Sequence, residues 1–187
     1  MQKELSKYLS KKLKKIKKID LEEIEDIFLF GSVVKGKEFP EDIDICVIFK
    51  KNISKEILKN IEDELKEFKV HISSLSVDNF FNKPHSLSKT MLLEGISLFS
   101  GKPFAKNFGF SSYVLYSYNL SKFKPSEKVR FVYLLKGRKN NEGIISKFSG
   151  EWITDNCFII PINKDSEILT IFKKWLVTFK RKEVLIH

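Results

Sequence analysis

The sequence predicts an α+β fold: a mixed β-sheet backed by helices, followed by a second, smaller α+β domain. Three observations lead there. Short apolar runs alternate with segments of helical periodicity in both halves of the chain. Gly101-Lys102-Pro103 combines turn residues with a change in the sign of the charge, dividing the chain into residues 1–100 and 101–187. A length of 187 residues, of which 42% are hydrophobic, supports one domain or two small ones without disulfides or a structural metal.

The elements follow in order. Leu5, Tyr8, Leu9, Leu13, Ile16 and Ile19 recur at helical spacing between lysines, which predicts an amphipathic helix over 2–18. Its lysine face suits packing on its own domain or contact with a membrane surface. Ile27-Phe28-Leu29-Phe30, cut by Gly31, reads as a buried strand, and Ile43 to Phe49 as a second. Ile57, Leu58, Ile61, Leu65 and Phe68 mark a helix over 53–68, and Val70 and Ile72 a third strand. Asp78 is a candidate cap for a short helix through Phe81 that Pro84 breaks; a further helix runs from Ser86 to Glu94 and ends at Gly95. In the second half, Tyr113 to Leu120 reads as a strand, and Pro125-Ser126-Glu127 opens a helix ending at Gly137. Phe158 to Ile162 is a strand, Ser166 to Leu176 a helix, and a last strand lies near Val184.

The net charge of +10 is unevenly spread. Residues 1–18 carry eight Lys against one Glu, residues 19–100 ten Lys against sixteen acids, and residues 101–187 sixteen Lys and Arg against seven acids. Basic flanks around an acidic middle favour a polyanion such as RNA or DNA as partner. No run approaches the roughly 18–20 apolar residues of a membrane span, so no membrane partner is expected. Lysines break up the apolar residues before Ile19, against a secretory leader. Cys46 and Cys157 lie in apolar runs and read as buried thiols, which points to a cytoplasmic protein.

The chemistry concentrates in Phe30-Gly31-Ser32-Val33-Val34-Lys35-Gly36-Lys37-Glu38-Phe39-Pro40-Glu41-Asp42-Ile43-Asp44-Ile45. Strand residues two apart share a face, so Asp42 and Asp44 project together while Ile43 and Ile45 enter the core. Two neighbouring carboxylates repel, and divalent cations relieve that cost. Mg²⁺ takes carboxylate oxygens together with substrate phosphates, and one or two such ions can brace a displacement at phosphorus. Gly31 permits close backbone approach, Ser32 offers a hydroxyl and an N–H at the start of a helical turn, and Lys35 is a candidate phosphate contact. Gly31-x-x-x-x-Gly36-Lys37 also approaches a Walker A loop. It fails at Glu38, where Ser or Thr would reach the metal, and Pro40 blocks the helix such a loop opens. His71, His85 and His187 form no sequence pair with each other or with a cysteine, so no zinc site is expected.

Gly31, Ser32, Asp42 and Asp44 resemble the signature of the DNA polymerase β-like nucleotidyltransferase superfamily, in particular its minimal members: Gly-Ser, a short spacer, then Asp-x-Asp on the following strand. The likeness covers residues 20–100, including the order of strands and helix. It implies Mg²⁺ on Asp42 and Asp44, a nucleoside triphosphate on Gly31, Ser32 and Lys35, and transfer of a nucleoside monophosphate to a hydroxyl of an RNA end or a protein. The superfamily includes antitoxin-type members that modify a protein tyrosine. Its enzymes usually carry a third carboxylate on the strand after the helix, where this chain has Lys69-Val70-His71-Ile72-Ser73. His71 is then a candidate general base, or an ordinary polar residue of a solvated strand face. The missing acid leaves a second reading, a catalytically impaired module that binds nucleotide or nucleic acid.

Residues 101–187 match no RRM, KH or zinc-knuckle pattern. Fifteen of the 24 aromatics follow residue 103, interleaved with Arg130, Arg138, Lys139, Lys173, Lys174 and Lys180-Arg181-Lys182. Phe131, Phe158 and Phe172 fall on apolar periodicities and read as core, leaving a basic rim for nucleic acid or for positioning an acceptor.

Overall fold

The structure, a computed structural model, describes residues 5, 8, 9, 11, 12, 22–37, 40–82, 86–139 and 141–187. It is α+β throughout and divides into two compact units, Met1–Phe110 and Ser111–His187.

The first unit holds a four-stranded mixed sheet. Its strands are β1 (Ile24–Phe30), β2 (Ile43–Phe49), β3 (Val70–Ser76) and the two-residue β4 (Ile96–Ser97), in the order β3-β2-β1-β4. β1 runs antiparallel to β2 and β4, whereas β2 and β3 are parallel and joined through helix α1 (Lys55–Glu64). Ser54 starts α1 by accepting the Ile57 N–H, and the helix stops at Glu64, short of the predicted Phe68. Alternation sorts the strand residues. Ile27, Leu29, Ile43, Ile45, Val47 and Phe49 pack with Ile57, Ile61 and Leu65 of the α1 segment and with Leu9. On the other face, Phe28, Cys46 and Ile48 pack with Phe80 and Met91.

Those last two residues belong to α2 (Val77–Phe81) and α3 (Ser86–Glu94). Ser76, not Asp78, caps α2: its hydroxyl accepts the Asn79 N–H, while Asp78 sits in the first turn and takes Asn82 Nδ2. The predicted breaker Pro84 lies outside the described residues, as does most of the predicted N-terminal helix. Leu5, Tyr8, Leu9, Lys11 and Lys12 are helical; Tyr8 bonds Glu67 at 2.7 Å and Lys12 pairs with the same carboxylate at 2.8 Å.

The segment after Gly101 stays with the first unit. Pro103 bridges Ile96, and Phe104 packs edge-on against Phe28 and Phe80. These contacts carry the division ten residues past the turn that marked it in the sequence.

The second unit is an antiparallel sheet of β5 (Ser111–Asn119), β8 (Glu151–Thr154), β9 (Cys157–Pro161) and β10 (Thr178–Ile186), ordered β10-β5-β9-β8. Helices α4 (Pro125–Lys136), α5 (Ile144–Lys147) and α6 (Asp165–Lys174) and a short hairpin of β6 (Gly137–Arg138) and β7 (Asn141–Glu142) complete it. Phe131, Phe158 and Phe172 are fully buried around Tyr116. Cys46 is buried and Cys157 half-buried; both are free thiols. Among the described residues, no helix is long and apolar enough to cross a membrane.

Candidate active site

The site lies at one end of the first sheet. β1 ends at Phe30, which pairs with Asp44 of β2. The chain then turns through a single 3-10 turn, Gly31–Val33, held by the Gly31 carbonyl accepting the N–H groups of Val34 and Lys35. Gly31 has φ +75°, and a Cβ at that position would overlap the carboxylate of Asp44. Only glycine meets both conditions. The turn and the second aspartate are therefore in direct contact. The Ser32 hydroxyl has no hydrogen-bond partner among the described residues and is half-buried.

Asp42 sits in the bend before β2 and Asp44 within it. The strand is anchored by the Ile43 N–H, which donates to the Lys69 carbonyl at 2.9 Å. Parallel pairing sets His71 of β3 beside Asp44. Its Nδ1 lies 3.6 Å from Asp42 Oδ2 and 3.6 Å from Asp44 Oδ1, an electrostatic contact rather than a hydrogen bond. Donor atoms of Asp42, Asp44 and His71 all lie within 4.8 Å of one another. Burial first, and then the neighbouring Asp42 charge, push the Asp44 carboxyl above its ordinary value, while His71 pulls it back. A carboxylate pair destabilised in its charged form, with a third donor alongside, suits a divalent cation. Ser73 pairs two positions further on, with buried Cys46, away from the acids.

Two placements differ from the simplest reading of the segment. Lys35 forms an ion pair with Glu94 at 2.7 Å. The same carboxylate, on the last residue of α3 and almost wholly buried, accepts the Gly31 N–H at 3.3 Å. Glu94 thus ties the Gly31 turn to α3. Nothing in the local pattern singles it out, because its contact is 63 residues distant in the chain. At the far end of β2 from Asp44, a cavity of about 500 Å³ is lined by Phe28, Ile48, Lys50, Phe80, Phe81 and Phe104, on the same sheet face.

The family described as "Polymerase beta, Nucleotidyltransferase" matches residues 11–104. Among solved structures, the tri-AMPylated Shewanella oneidensis HEPN toxin in complex with MNT antitoxin contains a similar chain. It is 19% identical, with 55% of this chain and 78% of that chain covered and a TM-score of 0.36. No curated protein matches.

Proposed function

The chain belongs to the polymerase β nucleotidyltransferase family, and from that membership we propose that it transfers a nucleoside monophosphate from a nucleoside triphosphate to a hydroxyl acceptor. One observation carries the assignment to particular residues: the Asp42 and Asp44 carboxylates converge, and that of Asp44 fills the space a side chain at position 31 would need. Asp42 and Asp44 would hold Mg²⁺, which when bound neutralises phosphate charge and lowers the pKa of the attacking hydroxyl.

The rest is done by the protein. Ser32 and the turn around it receive triphosphate oxygens at the start of a helical turn. Lys35, engaged by Glu94, holds that turn in place. His71, beside both carboxylates and 60% exposed, accepts the acceptor's proton. The acceptor oxygen bonds to the α-phosphorus, the bond to the bridging oxygen breaks, and pyrophosphate leaves.

The acceptor is an RNA end or a protein hydroxyl; the basic second unit supports the former. A cytoplasmic setting agrees with two free thiols.

A second reading rests on β3. With His71 where family members usually carry an acid, the site binds Mg²⁺ and nucleotide without turning over. One experiment separates the two. The chain is incubated with α-labelled triphosphates, Mg²⁺ or Mn²⁺, and bulk RNA or protein. Label transfer that is abolished in Asp44→Asn supports the enzyme. Nucleotide retention without transfer, under either metal and with every acceptor, supports the binding module.

A further inference from the structure

Arg130, Tyr133 and Leu134 are spaced to lie on one face of α4. That face forms one wall of a groove of about 430 Å³, completed by the β6–β7 hairpin, Lys147 of α5 and Trp175. The hairpin is fixed by two glycines. Gly137 has φ +88°, and a Cβ there would collide with the Asn141 carbonyl; one at Gly143 would collide with the Leu135 carbonyl. This close backbone crossing sets where Arg138 stands.

Both arginines lie over aromatic rings. The Arg138 guanidinium is 5.1 Å from the Tyr133 ring centre and that of Arg130 is 5.9 Å from Trp175. A guanidinium over a ring keeps its in-plane N–H donors unspent. Among the described residues, neither arginine nor Lys147 pairs with a carboxylate, although Glu142 lines the same groove. Tyr133 is 42% exposed. The surrounding unit, residues 111–187, carries fourteen Lys and Arg against seven acids.

Unspent forked donors call for phosphate or carboxylate oxygens, and exposed ring and guanidinium planes call for a flat partner. A nucleic acid supplies both, and only a single strand presents its base faces. An acidic peptide would use the cations and leave the planes unmatched. We propose that this groove binds single-stranded nucleic acid, with Arg130 and Arg138 on backbone phosphates and Tyr133 stacking a base. The inference is independent of the transfer reading.

The test uses the full chain in EDTA, so that metal-dependent nucleotide binding plays no part. Fluorescence anisotropy follows a labelled twelve-nucleotide oligo-U across a salt series. The wild type binds, with affinity falling as salt rises. Arg130→Gln with Arg138→Gln lowers affinity at least about tenfold and reduces the salt slope by about 1.4, two phosphate contacts' worth. Tyr133→Leu weakens binding at least about fivefold with the slope unchanged, because stacking releases no counterions. Lys55→Gln with Lys59→Gln, on exposed α1 positions of the first unit, binds as the wild type. Circular dichroism confirms that each variant is folded. The proposal is overturned if the double arginine variant binds normally, if Tyr133→Leu has no effect, if a duplex of equal length binds as tightly, or if poly-glutamate competes as well as oligo-U.

Discussion

At position 31 a single methyl group decides between a working and a broken site. Gly31→Ala would combine a left-handed backbone with an overlap on the Asp44 carboxylate. It is expected to cost about 1–3 kcal/mol in urea unfolding and to abolish label transfer. Asp26 offers a pH-dependent counterpart. Its Oδ1 accepts the Ile27 N–H at 2.7 Å and the Ser97 hydroxyl at 3.0 Å, but burial outweighs both bonds and raises its pKa above 3.8. The unfolded chain therefore releases this proton at lower pH than the native protein does. Stability from Asp26 is present below its unfolded value and is lost as pH rises through the folded one. Asp26→Asn keeps an oxygen for both bonds and removes the charge. The difference in urea midpoint, variant minus wild type, is expected to rise between pH 3 and pH 7. The Cys46 thiol, pushed up to about 12 by burial, stays neutral throughout that range.

Among the elements, α3 matters through its last residue. Glu94→Gln preserves an acceptor for the Gly31 N–H and removes the charge that holds Lys35. Its expected signature is a rise of about tenfold in KM for the triphosphate with the fold retained, read from steady-state transfer assays and circular dichroism. In the second unit, the start of α6 is joined to two strands by one buried carboxylate. Asp165 accepts the Tyr116 hydroxyl of β5 and two donors of Arg181 of β10, whose other contact is Glu183 at 2.7 Å. Burial and the adjacent carboxylate push the Tyr116 phenol far above its ordinary value, so it serves only as a donor. Asp165→Ala leaves Arg181 with Glu183 alone and the buried Tyr116 hydroxyl without an acceptor, and is expected to cost about 1–3 kcal/mol. Both tryptophans, Trp152 and Trp175, lie in this unit, so their fluorescence in a urea titration reports the loss directly.

Over the whole molecule, the two units rest on separate apolar clusters, one around Ile45 and Ile61 and one around Tyr116 and Phe158. Phe158→Ala is expected to lower the tryptophan-reported transition by about 3–5 kcal/mol. The sheet of the first unit and the convergence of Asp42 and Asp44 were readable beforehand, because strand alternation and a motif within fifteen residues carry them. Glu94 was not, since its role depends on a contact made only after α3 folds back on β1. Two-residue β4 and the β6–β7 hairpin were likewise hidden, being too short for any periodicity to register. The true extent of β1 was masked by Glu25 and Asp26, polar residues that the bonds from Ser97 and Ile27 make tolerable inside a strand.

The pairing of Phe30 with Asp44 and of Ile27 with Val47 has a bearing on which length changes this chain tolerates. Residues added next to Lys37, itself exposed, leave both strands aligned and both acids facing outward. One residue inserted between Asp44 and Cys46 would exchange one sheet face for the other along the remainder of β2, sending Cys46 and Ile48 into places shaped for Val47 and Phe49. Natural length variation in such a chain is therefore expected to collect beside Lys37 and to stop at the edge of the strand.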